Sequence, residues 1–275
     1  MVEEPKTYLP RAGAAIGFYV ILWGVIIAAS VVTLPLKRVL ADPQLFLAVA
    51  ALLQAALMIV ALVVFARRKG FEIRATLSLR RARPVAYLWA VVGIVPVGMI
   101  SGLLIWPLIE ALPWLVSKEL ETLVRLSRLS APGVYLFYAL ALSVGPALSE
   151  ELAFRGLILQ GLRSRLSAGA AVALTALLFG IIHIDPVQGL GAFFTGLYLG
   201  YLTARSGSIY PAIVAHGFNN LWATVESSLW QAANPQMSPR EILLSAGYPL
   251  WAYVIAGAAL IVALYNFHRA TRASS

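Results

Sequence analysis

The chain has 275 residues, of which 60% are apolar and only 12% charged, with a formal net charge of +9. Soluble domains average roughly 45–50% apolar and about 25% charged residues. A compact fold of this length has no core large enough to hide the excess, which excludes an ordinary water-soluble enzyme. Disorder is excluded by the same balance, and the absence of cysteine excludes disulfides, thiolate metal sites and cysteine nucleophiles.

About 20 apolar residues cross the roughly 30 Å hydrocarbon layer as a helix. Charge-free stretches near that length occur at 12–36, 43–66, 84–109, 129–149, 166–184, 186–204, 206–225 and 242–267. They predict an all-α, polytopic membrane helix bundle of about eight transmembrane helices, with residues 1–275 forming one integral membrane domain in a cell membrane. The first stretch reads as a retained anchor, because Glu3 and Glu4 occupy the flank where a cleaved signal peptide carries basic residues.

Between the second and third stretches lie Arg67, Arg68, Lys69, Arg74, Arg80, Arg81 and Arg83. The positive-inside rule makes that connection cytoplasmic, and alternation then places both termini in the cytoplasm with most of the 21 basic residues. The positive charge is a membrane-flanking belt facing anionic lipid headgroups. No surface with interleaved aromatic and basic residues accompanies it, so no nucleic-acid partner is expected. Residues 114–129 differ: Leu115, Val116, Leu120, Leu123, Val124 and Leu126 alternate with Lys118, Glu119, Glu121, Arg125 and Arg128. That pattern predicts an interfacial amphipathic helix with a Glu121–Arg125 pair.

Ionisable groups inside membrane helices are costly and are by default functional. Glu150, Glu151 and Arg155 fall at the end of the fourth stretch, His183 in the fifth, and His216 with Asn219 and Asn220 in the seventh. Adjacent residues on a helix are turned by about 100°, so Glu150 and Glu151 are expected to face different targets. Glu151 and Arg155, at i and i+4, are expected to pair as scaffold and leave Glu150 free. His216 and Asn220 share a face by the same spacing, and Phe179 lies on the face of His183. Taking the turn at 163–169, helical rise places Glu150 and His183 about 14 Å and His216 about 12 Å inside the membrane, so that the three converge. The bland alternative for each histidine is a helix–helix hydrogen bond. His268, beside Arg269, reads as interfacial.

Several hydrolytic chemistries are excluded. The only aspartates, Asp42 and Asp185, each precede a proline in a short connection, which leaves no intramembrane aspartyl dyad. Ser143 and Ser149 lack a nucleophile elbow, and no H-E-x-x-H helix is present. One carboxylate, two imidazoles and an amide suit water-activated acyl hydrolysis. Glu150 would act as general base with His183 sharing the proton, while His216 and Asn220 donate to the tetrahedral oxyanion. This version needs no cofactor. The alternative is a divalent metal such as zinc held by Glu150, His183 and His216.

Glu150-Glu151-Leu152-Ala153-Phe154-Arg155, Phe179-Gly180-Ile181-Ile182-His183 and His216-Gly217-Phe218-Asn219-Asn220 resemble, in order, the E-E-x-x-x-R, F-x-x-x-H and H-x-x-x-N motifs of the CAAX prenyl protease and bacteriocin-processing family, also called Abi. The motif-bearing core is 134–225. The resemblance implies an intramembrane endopeptidase with Glu150 and His183 activating water and His216 and Asn220 stabilising the oxyanion. Glu151, Arg155, Phe179 and Asn219 fall in supporting positions. The implied partners are membrane lipids and a peptide or protein substrate reaching the membrane; prenylated C-terminal tails are one branch of the family's substrates. Two competing readings use the same polar cluster: a membrane transporter, against which the absence of inverted repeats speaks, and a non-catalytic immunity or chaperone protein.

Overall fold

A computed structural model describes residues 9–245 and 247–272. The Glu3, Glu4 flank on which the retained-anchor reading rests lies outside them. Prolines mark many helix starts, since a first-turn residue needs no N–H and the ring presets φ. Pro43, Pro84, Pro132 and Pro186 all occupy such positions. Asp42 and Asp185 cap two of these helices: Asp42 accepts from the N–H groups of Gln44 and Leu45, and Asp185 from that of Gln188.

The main helices are α1 (Ala12–Thr33), α2 (Pro43–Arg68), α3 (Pro84–Ala111), α4 (Lys118–Leu126), α5 (Pro132–Leu162), α6 (Ala168–Ile181), α7 (Pro186–Ser206), α8 (Tyr210–Ala233), α9 (Pro239–Ser245) and α10 (Leu250–Ala270). Among the described residues the fold is all-helical; the first seven predicted stretches each fall on one main helix, and the eighth runs from α9 across a break into α10. Among the described residues, five helices are long and apolar enough to cross a membrane: Ala12–Val39, α2, α3, α5 and α10. Length and composition therefore do not establish eight crossings. α7 and α8 are long enough but diluted by Gly, Tyr, Asn and Ser. α6 has 14 residues, about 21 Å of helix, short of the roughly 30 Å hydrocarbon layer. The last span starts at Leu250, not 242, because Gly247 and Pro249 separate it from α9.

α2 packs on α1 and α5, α6 on α7, and α3 on α7, α8 and α10. Two apolar clusters result. One joins Phe18, Leu22, Met58 and Leu62 to Phe154, Leu157 and Phe179; the other joins Ala90 and Ile94 to Leu199, Leu202, Ala212 and Phe267. The polar residues of α5, α6 and α8 lie at the seam between them.

Contacts between connections define two opposite faces. On the first, the N–H of Ala12 donates to Ser164 Oγ, Ile209 donates to the Ser78 carbonyl, and Arg205 reaches the His268 carbonyl at 3.3 Å. The basic connection 67–83 belongs to this face, and its Leu77 packs on Gly156. On the second face, buried Gln44 donates to the carbonyls of Leu126 and Arg128, and Gln231 to that of Val124. These two glutamines hold α4 down, and Ser117 caps it. The expected Glu121–Arg125 pair gives way to Glu121–Arg240 at 2.9 Å, because α9 packs on α4 and brings its guanidinium against that carboxylate.

Candidate active site

Pro146 sits inside α5 and has no N–H to offer the carbonyl of Leu142, one turn earlier. Asn220 of α8 donates its amide to that carbonyl at 3.3 Å. A helix defect thus docks α8 onto α5 and fixes one of the site's two asparagines. Asn219 donates to Asn220 Oδ1 at 3.4 Å. An amide nitrogen has two hydrogens, so Asn220 keeps a second donor.

After Glu151, α5 widens into a π-helical segment, Leu152–Ile158, a geometry frequent at functional sites. Gln160 donates its side-chain amide to the carbonyl of Arg155 within this segment. Arg155 and Glu151 are both fully buried and pair at 2.7 Å, as the i,i+4 spacing predicts. The guanidinium also donates to the Gly196 carbonyl at 3.1 Å and lies 4.5 Å from the centre of the Phe179 ring. Gly196 leaves room for this contact: a Cβ there would lie 3.1 Å from that of Ala176 and 3.3 Å from the guanidinium, so a side chain would press on both. A charge removed from water is tolerated where it is paired and hydrogen-bonded, and Arg155 has a carboxylate, a carbonyl and an aromatic face.

His216 is buried between the two glutamates. Its Nδ1 lies 2.9 Å from Glu151 Oε1, and its Nε2 lies 3.8 Å from Glu150 Oε2. The expectation that the adjacent carboxylates face different targets is corrected. An imidazole presents nitrogens on two edges, so one ring from another helix meets both. Nδ1 donating to the acceptor-only carboxylate orients the ring and aims Nε2 at Glu150. Glu150 Oε2 is itself buried with no hydrogen-bond partner, while its side chain retains 16% exposure.

Phe179 connects the second imidazole to the first. Its ring makes edge-to-face contacts with His183 at 4.9 Å and His216 at 5.9 Å between centroids. His183 Nδ1 lies 2.7 Å from the Phe179 carbonyl. A carbonyl only accepts, so Nδ1 carries the hydrogen and Nε2 presents its lone pair. Directly after it, Ile184 adopts φ +62°, a left-handed conformation that opposes a β-branched side chain. Strain of this kind concentrates at functional sites. Gly180 permits the tight return: a Cβ there would lie 2.6 Å from the Gly189 carbonyl on α7.

On the other side of Glu150 a cavity of about 390 Å³ runs between α1, α2 and α5, lined by Ser149, Glu150, Pro146, Leu142, Gln54 and Lys37 among others. Among the described residues, no group of three or more His, Asp or Glu side chains is placed to hold a metal ion. Sequence reasoning ranked Glu151 as scaffold and missed its bond to His216, which spans 65 positions along the chain and leaves no local pattern. It also missed the Leu142 carbonyl, although Pro146 within an otherwise helical stretch was the available signal.

Residues 132–222 match the family model described as type II CAAX prenyl endopeptidase Rce1-like, in agreement with the resemblance of the three motifs. That family is one of intramembrane CAAX-type endopeptidases, which supports a protease acting on a membrane-associated peptide or protein. The match spans α5 to the middle of α8, and so contains Glu150, Glu151, Arg155, Phe179, His183, His216, Asn219 and Asn220. No curated protein and no solved structure matches the chain.

Proposed function

We propose that the protein is an intramembrane endopeptidase in which Glu150 activates water for attack on a peptide carbonyl. The observation that carries this reading is the Glu150 carboxylate: one buried oxygen without a hydrogen-bond partner, opposite His216 Nε2, at the end of a cavity. Glu150 takes a proton from water as the oxygen adds to the carbonyl carbon. The second N–H of Asn220 donates to the oxyanion, and so does His216 Nε2 when the ring, held by Glu151 through Nδ1, is the doubly protonated imidazolium. The C–N bond then breaks, and the proton returns to the leaving amine through Glu150 and His183 Nε2, the lone pair left available by the Phe179 carbonyl.

The proposed reaction is metal-independent. Support for that choice is the absence, among the described residues, of a group of three or more His, Asp or Glu side chains placed to hold a metal ion. Cleavage that persists after exhaustive chelation, in protein free of zinc by elemental analysis, is the expected result; loss that zinc restores would overturn it. Both termini are proposed to be cytoplasmic on the charge distribution, in a cell membrane. The substrate is a peptide or protein segment reaching the membrane, prenylated tails included. The direct test is hydrolysis of such peptides by purified protein and by Glu150→Gln, His183→Ala and Asn220→Ala. The first two are expected to lose roughly 10²–10⁴-fold in kcat, and the last roughly 10²–10³-fold.

A further inference from the structure

α7 and α10 both pack on α3, and between them they leave a groove of about 420 Å³. Val97 and Leu104 of α3, Leu197 and Tyr201 of α7, and Leu260 and Leu264 of α10 line it. Two buried hydroxyl residues border it, and both are satisfied inside the protein: Ser101 donates to the Val97 carbonyl, and Tyr198 to the carbonyls of Trp89 and Ala90. Glycine at position 93 makes room for the Tyr198 hydroxyl, which a Cβ there would overlap. The deep part of the groove therefore offers a ligand hydrocarbon contact.

One end of the groove is charged. Tyr201 and Leu264 stand one helical turn before Arg205 and His268. Arg205 joins the two walls: its Nη2 lies 3.4 Å from His268 Nε2 and donates to the His268 carbonyl at 3.3 Å. With Nε2 facing that donor, the ring hydrogen is on Nδ1, a further donor. Arg205 Nε is buried with no hydrogen-bond partner. The helical turn continues past His268, where Arg272 donates its N–H to the Arg269 carbonyl, so a second guanidinium stands one turn beyond the imidazole. Among the described residues no carboxylate lies within ion-pair distance of Arg205, His268 or Arg272. This end belongs to the first face, because Ile209, four residues after Arg205, donates to the Ser78 carbonyl of the basic connection.

We infer that the groove between α3, α7 and α10 binds an anionic phospholipid, with its phosphate at Arg205, His268 and Arg272 and an acyl chain along Tyr201, Leu264 and Leu197 toward Leu104. Charge complementarity selects this occupant. A hydrocarbon chain alone leaves the cations without a counter-ion, and a free phosphate leaves the groove unfilled. Basic pockets between membrane helices hold anionic headgroups in this way. The groove wall is next to the active site along the chain, since Leu197 follows Gly196, whose carbonyl receives Arg155. Bound lipid is therefore expected to steady the helix that supports the Glu151–Arg155 pair. The inference stands whether or not the protein is a protease.

The test uses the full chain, purified and stripped of lipid in detergent, and titrated with phosphatidylglycerol, phosphatidylcholine or inorganic phosphate. Thermal unfolding reads the shift, and native mass spectrometry reads the retained lipid. Phosphatidylglycerol is expected to raise the unfolding temperature saturably and to remain bound, with little effect from the other two. Equal shifts with the two lipids, or the full shift with inorganic phosphate, overturn the site. Arg205→Gln is expected to weaken the apparent affinity for phosphatidylglycerol about tenfold, the loss of one charge-assisted contact. Leu264→Trp, which fills the groove and leaves the charges in place, is expected to weaken it as well. Arg68→Gln, on the same face at the end of α2, controls for diffuse attraction to basic residues and is expected to bind like wild type. A loss in Arg68→Gln equal to that in Arg205→Gln overturns the headgroup assignment, and unchanged affinity in Leu264→Trp overturns the groove. Arg272→Gln takes the place of Arg205→Gln if that variant does not fold, with the same loss expected and an unchanged affinity counting against the headgroup assignment.

Discussion

At the scale of single residues, the site is organised by what each buried charge needs. Arg155 has no water, so its guanidinium is shared among Glu151, the Gly196 carbonyl and the Phe179 ring. Glu151, held by Arg155, holds His216 in turn. Removing the cation leaves Glu151 as an uncompensated buried charge, a defect that costs about 3–5 kcal/mol. Arg155→Met is therefore expected to lower the thermal unfolding temperature markedly in detergent, and Glu151→Gln in the same chain to recover part of the loss. An Arg155→Met protein as stable as wild type would contradict the pairing. The Glu151–Arg155 bond was legible from the i,i+4 spacing alone, because helix geometry is local. The seat of His216 between two carboxylates was not, because helical spacing says how residues on one helix are turned but not which ring another helix inserts.

At the scale of elements, irregularities do the positioning. Pro146 exposes the carbonyl that Asn220 occupies, the π segment carries Arg155, and the strained Ile184 follows His183 at the end of a short helix. Pro146→Ala supplies an N–H to the Leu142 carbonyl and regularises α5. It is expected to raise thermal stability, by up to about 3 kcal/mol for a helix-interior proline, and to lower kcat by releasing Asn220. A variant with unchanged kcat would show that Asn220 does not depend on that anchor. Gly180→Val is expected to push α6 off α7, since the Gly189 carbonyl cannot move as a side-chain tip would, with loss of both folding yield and activity. Helix existence was legible throughout, because apolar runs of near-membrane length have few alternatives. The shortening of α6 and the break at Gly247–Pro249 were not, since the hydrophobic run continues across both ends. The partner of Glu121 was missed for a related reason: the i+4 rule cannot see α9 folding back onto α4.

At the scale of the whole molecule, two apolar clusters meet along a polar seam, with a basic face on one side and the α4 face on the other. If the basic face is cytoplasmic, a reporter protein fused after residue 272 is expected to be active only in its cytoplasmic form. Activity of an exported-only reporter there would invert the orientation. The account stands on the role given to Glu150. The most direct measurement is the rate at which purified protein in lipid or detergent hydrolyses a membrane-associated peptide, compared between wild type and Glu150→Gln with both shown by thermal unfolding to be folded. The account predicts cleavage at a defined bond by the wild type and a loss of roughly 10²–10⁴-fold in the variant; equal rates in the two folded proteins would contradict it.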